Sequence, residues 1–329
     1  MSVDRVDDIH VRLGPGPWRT AEVEALGWTS RQVSWAVSQG RLTRPARGWL
    51  TVPVSGDESE RFRARCRDAL AAASADTVLC LTAAARTHEQ WLPARADLRV
   101  HLAHPAVRPR TLEDVRFHRV AVDEADRTVV GGLAVTTIER TAIDVARGQS
   151  FEQALVVLDS AARSVVVRDL GSDRVLRRPG EREAPATAAL SGLAVAMDRQ
   201  AGLRGIAGVR RALGFADPCS ESPYESLTRA RFIAAGVPAA ELAAPVLGAS
   251  GRRYYADFLW RHVRVIGEAD GWAKYGEGLR AREALKAERE RQRDLEAAGW
   301  LVVRWDPSDP SHVVVARVLA ALASQGVAL

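Results

Sequence analysis

Four carboxylates toward the end of the chain have the types and spacing for chemistry with a divalent cation. Glu225 lies in Ser222-Pro223-Tyr224-Glu225, Asp257 in Tyr254–Trp260, and Glu268 and Asp270 close the run Val263–Asp270. The last two runs read as strands joined by a turn at Arg261-His262, hence an antiparallel hairpin. Side chains alternate along a strand, so Glu268 and Asp270 share a face, and Asp257 on the partner strand can join them. Carboxylates converging in apolar strands repel one another and resist ionising. Mg²⁺ (or Mn²⁺), which takes hard oxygen ligands, relieves that cost. Such an ion activates water and stabilises charge on a scissile phosphate. The expected metal ligands are Asp257, Glu268 and Asp270. Lys274, four residues past Asp270, offers an ammonium to the phosphate or to the attacking water.

Plainer readings stand beside this one. Ser222, Pro223 and Glu225 form a capping box with proline at the first helical position, so Glu225 has a purely structural use. The hairpin carboxylates can equally be a solvated strand end.

The elements that must position these groups are legible. A helix opens at Ser222 and runs to Gly236. Glu277–Ala298 is a long charged helix whose interleaved acids and bases read as solvated and self-paired. Trp300–Trp305 is a third strand and Val313–Ala323 a closing helix.

At the other end, Thr20 caps a short helix over Arg19–Gly27, and Ser30 caps a second over Arg31–Gln39. Arg41–Arg44 and Gly48–Val52 read as a two-stranded hairpin. Helix, turn, helix and hairpin is the order of a winged helix-turn-helix. Arg31, Arg41, Arg44 and Arg47 occur there with no acidic residue between them. Such a unit places a helix in the DNA major groove and its hairpin on phosphate. The alternative is a small protein-binding domain with a basic edge.

The 329 residues suit two or three domains. The 46 basic and 41 acidic side chains leave a charge of +5. Only Lys274 and Lys286 are lysines and asparagine is absent, as codon bias in a GC-rich genome would produce. Abundant arginine is therefore weak support for nucleic-acid binding. Cys66, Cys80 and Cys219 lack zinc spacing. His101, His104 and His118 on or near the middle strands read as surface or core residues, not ligands. The acidic N-terminus is no signal peptide, and Ala69–Ala85 is too short to span a membrane. A cytoplasmic setting without a membrane partner is expected.

The segments SPYES at 222–226, YADFLW at 255–260, VIGEADGWAKY at 265–275 and RDLEAAGWLVVRW at 293–305 together resemble the DUF559 family. These are relatives of the very-short-patch-repair endonucleases in the PD-(D/E)XK nuclease superfamily. The resemblance implies a mixed sheet flanked by helices and a Mg²⁺-dependent phosphodiesterase. It implies Asp257 as principal metal ligand, Glu268 as second, and Glu225 as an acid near the metal. The superfamily's acidic-x-Lys motif ends here in Asp270, which implies altered metal stoichiometry or lost catalysis. The front of the chain, through GRLTRPARGWLTV at 40–52 and VTTIERTAIDVAR at 135–147, resembles AbiEi-type antitoxins of type IV toxin–antitoxin systems. That likeness implies DNA-binding autoregulation and leaves a cognate toxin and a second copy of the chain open as partners.

The expected architecture is α/β, α+β overall. A winged helix-turn-helix covers 1–54, a mixed α/β region 55–165, a linker and helical connection 166–217, and a nuclease-like domain 218–329.

Overall fold

The computed structural model describes residues 4–14, 16–45, 47–112, 114–270 and 279–327. The fold is mixed α and β, as expected, and divides into two compact units, Met1–Glu89 with Ala96–Thr137, and Gln90–Arg95 with Ile138–Leu329.

The first unit opens with α1 (Asp4–Leu13), β1 (Trp18–Arg19), α2 (Thr20–Ala25), α3 (Ser30–Ser38) and β2 (Trp49–Leu50). Ile9, Trp18, Val23, Trp28, Val33, Ala36, Leu42 and Leu50 share its core. Helix α1 was not foreseen, and Ile9 is what it buries. The caps fall one residue earlier than expected. Thr29 caps α3 by accepting from Gln32 N at 3.3 Å, while Gln32 returns a bond to Thr29 N. The expected hairpin shrinks to one bridge between Thr43 and Thr51. Trp49-Leu50 pairs instead with Trp18-Arg19, which puts Trp18 and Leu50 side by side in the core.

The unit continues through α4 (Glu58–Ala71), β3 (Val78–Leu79), α5 (Leu81–Thr87), β4 (Val100–His104), β5 (Arg110–Thr111), β6 (Val115–Arg119), β7 (Arg127–Val130) and β8 (Leu133–Thr136). These strands form a mixed sheet ordered β5-β6-β4-β3-β8-β7. Phe62 and Cys66 of α4 and Ala83 and Ala84 of α5 pack with Leu79, Leu102 and Val135 of the strands. His101 and His118 lie on neighbouring strands with rings stacked, Nδ1 to Nε2 at 2.9 Å. Burial holds both below the usual imidazole range, His118 at about 4.

The second unit begins with α6 (Ile138–Ala146), α7 (Phe151–Leu170), α8 (Pro179–Asp198) and α9 (Ile206–Leu213). This corrects two expectations. Helices α6 and α7 belong with the C-terminal half, not with the middle region. Residues 166–190 are not a linker: they hold the end of α7, a 3₁₀ turn at Arg174–Arg177 and the first turns of α8. The glycine and proline that suggested a loop are helix punctuation. Gly171 ends α7 at φ +70°, and Pro179 opens α8 where a missing N–H costs nothing.

Then follow α10 (Pro223–Ala234), β9 (Glu241–Leu247), β10 (Arg253–Trp260), β11 (Val265–Ala269), α11 (Leu279–Ala297), β12 (Leu301–Trp305) and α12 (Ser311–Ser324). The sheet order is β12-β11-β10-β9. Strands β9, β10 and β11 are antiparallel, while β12 returns parallel to β11 after the α11 crossover. One face packs Ala244, Val246, Ala256, Leu259 and Ile266 with Leu295 of α11. The other carries an aromatic group of Phe258, Trp260 and Trp305 around Phe232 of α10. Gly267 makes room for it, because a Cβ there would lie 2.5 Å from Trp305 Cη2. Among the described residues no helix is long and apolar enough to cross a membrane.

Candidate functional site

The site assembles where α10 and α11 meet strands β10 and β11. Ser222 caps α10 by accepting from Glu225 N at 3.2 Å, and its hydroxyl donates to Glu225 Oε1 at 2.8 Å. Glu221 N donates to Glu225 Oε2 at 2.7 Å. Ser222 caps the helix as expected, but the Glu225 carboxyl takes the Glu221 N–H and the Ser222 hydroxyl in place of the Ser222 N–H that a capping box would use, and these bonds fix it in a buried position. Arg229, further along α10, gives one nitrogen to both oxygens of Asp159 on α7, at 2.6 and 2.7 Å. Asp159 is fully buried and also accepts from Asp217 N at 2.9 Å. This ion pair moors the helix that carries Glu225.

Asp257 sits where the β9–β10 ladder is interrupted. Ala256 pairs with Ala244 and Phe258 with Leu242, while Ala243 between them has φ +45°. Ala256 packs in the cluster with Leu295 and Phe258 in the aromatic group, and the Asp257 carboxylate between them reaches β11. Its Oδ2 accepts from Ala269 N at 2.8 Å.

Glu268 on β11 is 1% exposed. Its Oε1 accepts from Arg291 Nη2 at 2.7 Å, and Oε2 is buried with no hydrogen-bond partner among the described residues. The same Arg291 nitrogen donates to the Tyr255 carbonyl at 2.7 Å. Burial, then repulsion from Asp257, pushes the Glu268 carboxyl up to about 8. The same two causes push Glu225 up to about 7. Glu225, Asp257 and Glu268 therefore act as one electrostatic group.

Asp270 meets a guanidinium. Arg304 grips it with two nitrogens, at 2.8 and 2.9 Å. Arg304 also reaches Glu288 at 2.6 Å, and Glu288 lies 3.6 Å from Arg291. Charges alternate along Glu268–Arg291–Glu288–Arg304–Asp270, so guanidiniums separate the two β11 carboxylates. Among the described residues no three His, Cys, Asp or Glu side chains gather to hold a metal ion. Of the expected ligands, Asp257 and Glu268 lie close enough to repel one another, while Asp270 is engaged by Arg304. The pair of Asp257 and Glu268 fits a hard cation in its chemistry, because such an ion would take the place of the proton on Glu268 and complete Oε2, which has no hydrogen-bond partner among the described residues. Lys274 lies outside the described residues.

Arg291 was expected on a solvated helix face, yet its side chain is mostly buried against Glu268. Arg304 was not foreseen either. It stands directly opposite Glu268 in the parallel register of β11 and β12, a signal readable only once that pairing is known. In the first unit, Arg31, Arg44 and Arg47 are exposed, and Arg41 lies over the Trp35 ring at 5.1 Å.

No family model matches the chain. It is 28% identical over 278 residues to an uncharacterized protein of Mycobacterium tuberculosis strain H37Rv, spanning 84% of this chain and 89% of that one. An uncharacterized protein of strain CDC 1551 matches with the same identity and coverage.

Proposed function

We propose that the second unit is a divalent-cation-dependent phosphodiesterase acting on DNA, which the N-terminal helix-turn-helix arginines help to engage. The reading is carried by Glu268: a carboxyl sealed from water, pressed by Asp257, with one oxygen lacking a hydrogen-bond partner among the described residues. Ionising this buried carboxyl beside Asp257 is costly, since Arg291 offsets only part of its charge, unless a further positive charge completes it. Asp257 and Glu268 would hold Mg²⁺ or Mn²⁺, and the bound ion would supply a more acidic water and charge neutralisation at the phosphate. Glu225, held by Ser222 Oγ and Glu221 N and pushed up to about 7, can hold or release a proton near neutrality. Arg291 balances part of the Glu268 charge and fixes its orientation.

A second reading draws on the guanidinium pairs. Arg304 on Asp270 and Arg291 on Glu268 already supply positive charge, as suits a DNA-binding regulator or antitoxin whose domain does no chemistry. One assay separates the two. Full-length protein is incubated with plasmid, linear and single-stranded DNA, with and without Mg²⁺ or Mn²⁺, beside Asp257→Ala and Glu268→Ala. Metal-dependent cleavage that both substitutions abolish is expected. No cleavage of any substrate with either metal removes the hydrolase reading and leaves the regulator.

A further inference from the structure

Alongside the carboxylates, the second unit has a cleft of about 1010 Å³ against the edge strand β9. Five arginines and a single glutamate line it, among the described residues. Three of the arginines are paired: Arg177 with Glu221, Arg178 with Glu181, and Arg261 with Glu241. The other two keep their charge. Arg264 spends its donors on the carbonyls of Gly299 and Ala298, which carry no charge. Arg253, at the start of β10, is exposed and makes no ion pair among the described residues.

Two aromatic rings stand in the same wall, each beside a guanidinium. Arg264 lies 4.7 Å from the Trp300 ring centre, and Arg177 lies 5.5 Å from that of Tyr255. Both rings are half-exposed. Positive charge for phosphates interleaved with flat rings for bases is the chemistry that captures an unpaired strand. A duplex hides its base faces and is read by protruding elements that enter its grooves, whereas this wall is concave. The cleft also adjoins the carboxylates. Tyr255 is two residues, roughly 7 Å of strand, from Asp257. Its carbonyl accepts from the Arg291 nitrogen that holds Glu268.

We infer that this cleft binds single-stranded nucleic acid, stacking bases on Tyr255 and Trp300 and holding phosphates with Arg253 and Arg264. The inference rests on the proposed hydrolysis only for what happens to the strand afterwards; binding itself needs no metal.

The test is fluorescence anisotropy of the full chain in EDTA. The probes are a labelled oligothymidylate, a duplex of equal length and an abasic strand, with inorganic phosphate as competitor. Tyr255→Ala should weaken oligothymidylate binding roughly 5- to 100-fold, and leave duplex binding unchanged. Tyr255→Phe, which keeps the ring, should bind as wild type, and so should Trp300→Phe. Arg253→Ala, at an exposed position, should lower the salt slope of oligothymidylate binding by about 0.7. The abasic strand, which can stack on neither ring, should bind no more tightly than Tyr255→Ala binds oligothymidylate. The inference falls if Tyr255→Ala binds oligothymidylate as wild type does, if it weakens duplex binding equally, or if the abasic strand binds as well as oligothymidylate. It falls too if inorganic phosphate at matched phosphate concentration displaces the strand. Strand binding without cleavage under any metal would sink the hydrolysis and leave the cleft. Cleavage indifferent to Tyr255→Ala and Arg253→Ala would do the reverse.

Discussion

Replacing Glu268 by glutamine should remove most of a pH-dependent weakness from the second unit. Glu268 is 1% exposed, and burial with Asp257 nearby pushes its carboxyl from 4.5 up to about 8. In the unfolded chain it ionises at its ordinary value. Because the folded value is raised, the folded state binds the proton more tightly. That stability is fully present below about pH 4.5 and is lost as pH climbs through about 8. At 1.36 kcal/mol per pH unit, the loss between pH 5.5 and 8.5 is about 3 kcal/mol, or about 6–12 °C in melting temperature for a unit of this size. Glutamine has the same shape and cannot ionise, so Glu268→Gln should lack this loss. Glu225 titrates in both proteins, so the difference between them reports Glu268 together with its electrostatic coupling to its neighbours. Thermal and urea denaturation of both proteins in EDTA at pH 5.5, 7.0 and 8.5 would measure it. Wild type should fall away from the variant as pH rises. Parallel profiles would mean that Glu268 stays ionised throughout, and the buried-carboxylate argument would fail.

Two further predictions concern how the site is held. Arg229→Met strips the fully buried Asp159 of its cation and should cost about 3–5 kcal/mol in urea denaturation; a change below about 1 kcal/mol would mean that the pair does not moor α10. Gly267→Ala drives a methyl to 2.5 Å from Trp305, so unfolding should show about 1–3 kcal/mol of destabilisation and a change in tryptophan fluorescence. Wild-type stability there would refute the close packing of Trp305 on β11.

Much of the scaffold is local information and was legible. Ser222, Pro223 and Glu225 announce the start of α10 because capping geometry spans only four residues. Period-two alternation marks β10, β11 and β12, and Gly299 marks the turn before β12. Other features misled for equally local reasons. Gly171 and Pro179 are the same residues whether they interrupt a loop or punctuate two helices, and only the packing of α7 and α8 distinguishes the cases. The N-terminal hairpin failed because Trp49-Leu50 found a better partner in Trp18-Arg19, about thirty residues away.

The candidate site divides along the same line. Sequence alone determined which carboxylates are available and that Glu268 and Asp270 fall on one side of a strand, since residue type and alternation are properties of the local chain. Only the tertiary structure decided what each carboxylate meets. The α11 crossover returns β12 parallel to β11, sets Arg304 opposite Glu268 and lowers Arg291 onto it. Asp270 is thereby drawn to Arg304, and among the described residues Glu268 keeps one oxygen bonded and one without a hydrogen-bond partner. Charge compensation acts through space over a few ångströms, between residues more than twenty positions apart, so no spacing along the chain encodes it.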